Sequence, residues 1–305
     1  MKTYLECIPC FVRQALEAVT MATGDEELRE RLMRRVLSEL SEFPFDESPP
    51  VMGRRIHEIV REATGHQDPY AEAKRRSNEL ALELFPALRR EVEAASDPFE
   101  ASVRLAIAAN VIDLGAKAER ELGKDVVRAE LEAALHEPLD PAGLGELRQA
   151  GEGARDVLYL ADNAGEIVFD RLLIEHLPAG RVTVAVRGGP IINDATLEDA
   201  RRAGVEEVAE VITNGTASPG TPLDDCSAEF RGRFAAADVI IAKGQGNYET
   251  LSDAEANVFF LLRVKCPVLA RDTGREAGRS VIITPGERAM GAQSPAQNGS
   301  PKRRR

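Results

Sequence analysis

Apolar residues recur every three to four positions through the first half of the chain, and that spacing predicts helix after helix from residue 1 to about 150. "FVRQALEAVTMA" puts Phe11, Ala15, Ala18 and Val19 on one face, and "EELRERLMRRVLSEL" repeats apolar residues at Leu28, Leu32, Val36 and Leu37, then Leu40. "NELALELFPALRREVEAA" and "FEASVRLAIAANVIDLGAKAE" continue the pattern. "FPFDESPPVMG" reads as a connection between helices, and Asp97-Pro98 as another boundary.

From about residue 154 the period changes. Short, nearly continuous apolar runs appear at 156–162, 181–189, 208–215, 238–246, 266–272 and 280–285, separated by helical lengths such as "AGEIVFDRLLIEHL" and "TLEDARRAG". Continuous apolar runs belong to strands buried on both faces, hence to a mostly parallel sheet. The alternation predicts an α/β protein: a helical N-terminal region (1–150) packed on a three-layer α/β/α sandwich (151–285). The stretch from 286 to 305, small, polar and ending "KRRR", reads as a disordered tail.

In open parallel sheets ligands bind beyond the carboxyl ends of the strands. The predicted strands end in polar clusters: Asp162-Asn163, Asn193-Asp194, Asn214-Gly215, then Lys243, Gly244, Gly246 and Asn247, and last Asp272-Thr273. Each has an ordinary explanation. Asp162 or Asn163, and Asn193 or Asp194, would serve as helix caps, and "KGQGN" as a glycine-rich turn carrying a solvated lysine. A cap needs one residue, whereas these are doublets, and they fall along one edge of the sheet. Asp162, Asn163 and Asp194 are oxygen donors of the kind that hold a hard or borderline divalent ion. That reading requires the two carboxylates to reach the same cation. Lys243 and the amides of Gly244 to Asn247 would suit phosphate oxygens, helped by the start of the helix after Asp162.

Composition narrows the partners. The chain is 43% hydrophobic and 30% charged, with a net charge of −12 and no Trp. An acidic chain poor in aromatics disfavours nucleic acid. No apolar run is long enough to cross a membrane, and the N-terminal stretch lacks a secretory signal, so a cytoplasmic location is expected. Four cysteines, Cys7, Cys10, Cys226 and Cys266, are too few for a disulfide framework. Cys7 and Cys10 form a CxxC, which is half of a zinc site at best; buried thiols, a metal site and a redox pair all remain open.

"YLADNAGEIVFDRLL", "RGGPIINDATLEDA" and "AKGQGNYETL" together resemble the damage-control phosphatase family, long known as a domain of unknown function. The resemblance extends to "IHEIVREATGHQDPYAEAK" and "AIAANVIDLGAKA", and covers residues from about 5 to 285. "ECIPCF" is similar to the opening of the family's prokaryotic branch. The resemblance implies a helical region on an α/β/α core and a phosphatase of small phosphorylated metabolites such as sugar phosphates, a metabolite-repair role. It also implies one divalent ion (Mn²⁺, Mg²⁺, Co²⁺ or Ni²⁺) on Asp162, Asn163 and Asp194, with Lys243 to Asn247 on the phosphate. Catalysis would then rest on Asp162, Asp194 and Lys243. Glu166 would orient a ligand, and Asn110 and Asp113 would face the pocket from the helical half, although Asn110 on its apolar stripe is equally a buried brace. Asp68 and Tyr70 are weaker pocket candidates, and His57 reads as a core histidine.

Two other functions compete. One is an S-adenosylmethionine-dependent carboxyl methyltransferase, for which "ADNAGE" is poor in glycine. The other is a non-catalytic module that binds metal or phosphosugar.

Overall fold

The computed structural model describes residues 1–110 and 123–287. A three-helix unit comes first: α1 (Ile8–Ala22), α2 (Glu26–Glu42) and α3 (Pro49–Thr64). Its own core contains Phe11, Val19, Leu32, Val36, Met52, Ile56 and Val60, the stripe that the 3.6-residue spacing predicts. Asp25 starts α2 by accepting from the amides of Glu27 and Leu28. Helices α4 (Ala71–Ala94), α5 (Pro98–Ala109), α6 (Lys124–Ala134) and α7 (Pro141–Gly153) complete the helical half.

The second half alternates as expected: β1 (Asp156–Leu160), α8 (Glu166–His176), β2 (Arg181–Val186), α9 (Leu197–Arg202), β3 (Glu210–Thr213), α10 (Ala228–Ala236) and β4 (Val239–Lys243). It continues through α11 (Gly244–Leu251), β5 (Val258–Arg263), α12 (Pro267–Thr273) and β6 (Ser280–Ile283). The strands lie in the order β3-β2-β1-β4-β5-β6, parallel except for β6. The order reverses direction at β1, which pairs β2 on one side and β4 on the other. That switch point leaves a crevice at the carboxyl end of β1.

Side chains on each strand alternate between two cores. Val157, Tyr159, Val184, Ile241 and Phe259 face a core shared with α4, α5 and α8; Leu158, Leu160, Ile240, Ala242 and Phe260 face one shared with Phe230 and Leu251. The first core takes Leu80, Leu88, Leu105 and Ile107 from the helical half, so the compositional boundary near residue 150 is not a boundary of the core. Each such side chain, fully buried, contributes roughly 2 kcal/mol.

One predicted strand is a helix. "CPVLARD" forms α12, because Pro267 occupies its first turn and the Cys266 thiol accepts from the Leu269 amide. The fifth strand is instead "VFFLLR" at 258–263, an apolar run with no proline or glycine within it. Asp272 is thereby removed from the sheet edge and accepts from the Tyr248 hydroxyl at 2.8 Å. The expected tail also starts later than 286. Gly286 and Glu287 form a helical turn, and the Glu287 carboxylate accepts from the Thr284 amide at 3.1 Å. The rest of the tail lies outside the described residues. No helix among the described residues is long and apolar enough to cross a membrane.

His57 is a core residue of α3, edge-to-face with Tyr70 at 5.7 Å, and its Nε2 has no hydrogen-bond partner among the described residues. Burial, helped by Arg61, lowers its pKa from 6.5 to about 4. The folded state therefore refuses a proton that the unfolded chain accepts between those values. Stability should be unaffected above pH 6.5 and fall as pH drops toward 4, by about 3 kcal/mol at most from the ~1.4 kcal/mol per tenfold rule. Urea midpoints of His57→Gln, compared with the parent across this range, should show a flatter acid limb. An identical slope in both proteins would remove His57 from the acid response.

Candidate active site

The backbone brings the two polar doublets face to face. Past the end of β1 the Asp162 carbonyl accepts from the Ala195 amide at 2.7 Å, and the Ala164 amide donates to the Asn193 carbonyl at 2.8 Å. Asn163 and Asp194 are thus joined by an antiparallel bridge between the ends of β1 and β2. The loop carrying Asp194 passes through Ile192 at φ 45°, the only described non-glycine residue with positive φ. A β-branched residue there is strained, and the surrounding hydrogen bonds hold it.

The side chains form one network. Arg187, at the end of β2 and buried, donates from Nε to Asp194 Oδ2 at 2.6 Å and from Nη2 to Asp162 Oδ1 at 3.4 Å. A single guanidinium therefore spans both carboxylates. Asp162 Oδ2 accepts from the amides of Asn110 (2.7 Å) and Asn163 (2.9 Å), and the same two amides donate to Glu166 Oε2 at 2.9 Å each. Gly244, at φ +75°, lies so close that a Cβ would stand 2.0 Å from Asp162 Oδ2. Only glycine leaves the carboxylate its place.

Behind this lies a second, fully enclosed cluster. Lys243 Nζ donates to Glu166 Oε1 (2.5 Å), Asp170 Oδ1 (2.6 Å) and the Ala106 carbonyl (2.9 Å). Tyr159 donates its hydroxyl to Asp170 Oδ1 at 2.8 Å. Burial opposes the lysine's charge, but Asp170 and Glu166 outweigh it and hold its pKa above the usual range.

The first cluster opens onto a cavity of about 270 Å³. Asp162, Asn163, Asn193 and Asp194 line one wall, Gln245, Gly246 and Glu249 of α11 another, and Cys10, Phe11 and Gln14 of α1 a third. Lys265, just past the end of β5, stands at the rim and donates to the Asn110 carbonyl at 2.8 Å.

The donor set suits a divalent cation. Asp162, Glu166, Asp170 and Asp194 are four buried carboxylates facing two buried cations, Arg187 and Lys243, a formal excess of two negative charges. That excess shows in Asp162, whose pKa burial raises to about 7, with Asp194 and Glu166 pushing the same way. Asn110 Oδ1, also buried, has no partner among the described residues. Among the described residues no three His, Cys, Asp or Glu side chains are grouped to hold a metal ion, so an ion here would have to draw on Asp162, Asp194 and the amide oxygen of Asn163.

The sequence profile of the damage-control phosphatase ARMT1-like domain matches residues 3–281. The chain belongs to that family. A damage-control phosphatase of Pyrococcus horikoshii is 39% identical over 93% of this chain and 98% of its own length. One from Archaeoglobus fulgidus is 37% identical, over 92% and 98%. The crystal structure of a DUF89 family protein from Pyrococcus horikoshii superposes with a TM-score of 0.85 at 37% identity, covering 93% of this chain and 99% of that one. Membership assigns the chain to the phosphatases.

Within this damage-control phosphatase fold the expected residues divide. Asp162, Asn163, Asp194, Glu166 and Asn110 converge in one network, and Gly246 reaches the cavity wall. Asp113 lies outside the described residues. Lys243 and Asn247 sit beneath the cavity, not on its wall. Asn247 is spent on structure: its amide donates to the Lys243 carbonyl at 2.7 Å, and its Oδ1 accepts from Thr221 at 2.7 Å. Asn214 braces the loop after β2, accepting from the amides of Gly188 and Thr216 at 3.1 Å each. Asp68 pairs with Lys74 at 2.8 Å, away from the cavity, and Tyr70 packs on His57. Sequence reasoning missed Arg187, Asp170 and Lys265. Glu166 and Asp170, one helical turn apart on α8, were the signal that a cation had to lie beside them.

Proposed function

We propose that this chain hydrolyses small phosphate monoesters with the help of one divalent ion held by Asp162, Asn163 and Asp194. The observation that carries the proposal is the guanidinium of Arg187 spanning Asp162 and Asp194, which puts both carboxylates within reach of one cation at the mouth of the cavity. Bound there, the ion supplies Lewis-acid polarisation of a phosphoryl group and acidifies water. The protein's own groups do the rest. Arg187 fixes the two carboxylates relative to each other, and the amides of Asn110 and Asn163 hold Asp162 and Glu166 from the other side. Lys265 places a positive charge at the rim, where it attracts a phosphate dianion. Lys243 anchors Glu166 from below. A cavity of about 270 Å³ has room for a metabolite of sugar-phosphate size.

The methyltransferase reading finds little support. Gly165 is the one glycine in the turn after β1, and a Cβ there would stand 3.0 Å from the Ser77 carbonyl oxygen; it serves packing against α4. The test is a screen of phosphorylated metabolites and p-nitrophenyl phosphate with Mg²⁺, Mn²⁺, Co²⁺ and Ni²⁺, run beside Lys265→Ala. Turnover should require the ion, and the variant should raise KM about tenfold, the weight of one charge-assisted contact. Metal-independent turnover, or none on any ester, would sink the proposal.

A further inference from the structure

Cys7 and Cys10 have no part in the reaction just described, yet one of them lines its cavity. Cys7 closes a 3-10 turn (Leu5–Cys7) with helical φ and ψ of −76° and −25°, and Cys10 is the third residue of α1. Continuous helical backbone sets their Cα atoms about 5 Å apart, within the range disulfides use, and their Cβ atoms need to close by only about an ångström. The first turn is where a helix yields most easily, since its amides carry no bonds from the preceding turn.

The two thiols are unequal. Cys10 is exposed, and Arg13 donates from Nη2 to its Sγ at 3.6 Å. Its exposure leaves Cys10 the thiol that a reagent in solution meets first. Cys7 is half-buried behind it, its thiol pushed up by burial, with Glu249, Cys266 and Cys10 adding to the effect. The other cysteines are committed elsewhere. Cys266 caps α12, and buried Cys226 donates to the Pro222 carbonyl at 3.3 Å. Among the described residues no three Cys, His, Asp or Glu side chains are placed to hold a metal, which disfavours zinc at this spot.

We propose that Cys7 and Cys10 are a reversible dithiol–disulfide pair in the cavity wall, oxidised by low-molecular-weight disulfides. The Cys10 thiolate attacks one sulfur of the small disulfide, whose S–S bond breaks and releases one thiol. The Cys7 thiol then gives up its proton and attacks Cys10 Sγ, displacing the second thiol. The protein loses two protons and two electrons, and the small disulfide gains them as two thiols. The new bond draws Cys10 Sγ off the wall toward Cys7 and stiffens the turn that carries Phe11 and Gln14, two further wall residues. Oxidation therefore acts on substrate fit, and this part rests on the phosphatase reading. The thiol chemistry does not.

The experiment poises the full chain in mixtures of reduced and oxidised glutathione, quenches with acid, alkylates and digests with trypsin. Cleavage after Lys2 and Arg13 frees residues 3–13, which contain Cys7 and Cys10 and no other cysteine. In oxidising mixtures this peptide should escape alkylation and weigh two hydrogens less, and dithiothreitol should reverse both. Cys7→Ser should stop at one glutathione on Cys10, whereas Cys10→Ser should form an adduct at least about tenfold more slowly. KM for the best ester should change at least about threefold on oxidation, with kcat held. Two alkylated thiols in every mixture, a bond to Cys266, or co-purified zinc that blocks oxidation would each overturn the pair. An oxidised peptide with unchanged KM would overturn its effect on the cavity. An oxidised peptide on a protein that hydrolyses no ester would leave the pair standing and remove the phosphatase reading instead.

Discussion

Asp162→Asn should abolish phosphatase turnover while leaving the protein at least as stable as the parent. The substitution keeps the shape of the side chain, so Asn110 and Asn163 still find an oxygen acceptor where Asp162 Oδ2 stood, and only the long 3.4 Å contact from Arg187 to Oδ1 is given up. What it removes is one of four buried carboxylates that face only two buried cations. Without a divalent ion this surplus charge is a liability, as the rise of the Asp162 pKa to about 7 shows; the cause is burial first, then Asp194 and Glu166. Removing the charge relieves that strain, so the melting temperature in chelator should hold or rise. Catalysis depends on the same charge. Loss of a group that fixes transition-state electrostatics costs a hundredfold to a thousandfold, and loss of an ion ligand on top should take kcat/KM down by about a thousandfold or more. The parent should gain melting temperature on adding Mn²⁺, and Asp162→Asn should not. Turnover within tenfold of the parent, or an undiminished response to Mn²⁺, would take Asp162 out of the ion site.

Stability and activity are thus set against each other at one residue, as expected where a site is built from groups that repel until a ligand arrives. The strained Ile192 beside Asp194 belongs to the same economy, held by the bridge between Asn163 and Asp194 and by Arg61 donating to the Pro190 carbonyl at 2.8 Å.

Much of this was legible before any coordinates. An apolar run that ends in two adjacent oxygen-bearing side chains marks a strand bringing polar groups to a sheet edge, and Asp162-Asn163 and Asn193-Asp194 meet there. The helical stripes of α1 and α2 were equally readable, because their period is local. What escaped depended on contacts between distant segments. Arg187 follows an apolar strand, where an arginine ordinarily reaches water; it is buried against Asp194 of its own loop and against Asp162, Thr221 and Asn247, which arrive from elsewhere in the chain. "VFFLLR" and "CPVLARD" are both short and apolar, and only the cap and proline at 266–267 separate helix from strand. Misplacing that strand hid Lys265, which the true β5 delivers to the cavity rim. The wall contributed by Cys10 and Gln14 comes from the three-helix unit, which packs through α3 on α11, and no local pattern encodes that.

Lys243 is the sharpest case. A lysine closing the run "VIIAK" looks like a cation offered to a ligand at the strand end, yet it is fully buried and all three of its donors are engaged below the cavity. The two placements predict different things for Lys243→Met. A lysine that touched only phosphate would be lost at little cost to the fold. A lysine that neutralises two enclosed carboxylates leaves both uncompensated when it goes, and breaking a buried pair costs about 3–5 kcal/mol. We expect that destabilisation in urea titrations, together with low activity, because Glu166 loses its anchor and with it the grip of Asn110 and Asn163 on Asp162. Asp170→Asn in the same chain should recover part of the stability by removing one stranded charge, while the Tyr159 hydroxyl keeps an oxygen to donate to. Activity should not return with it, since Glu166 remains unanchored. A Lys243→Met protein as stable as its parent, inactive and rescued by nothing at position 170, would instead put the lysine on the phosphate.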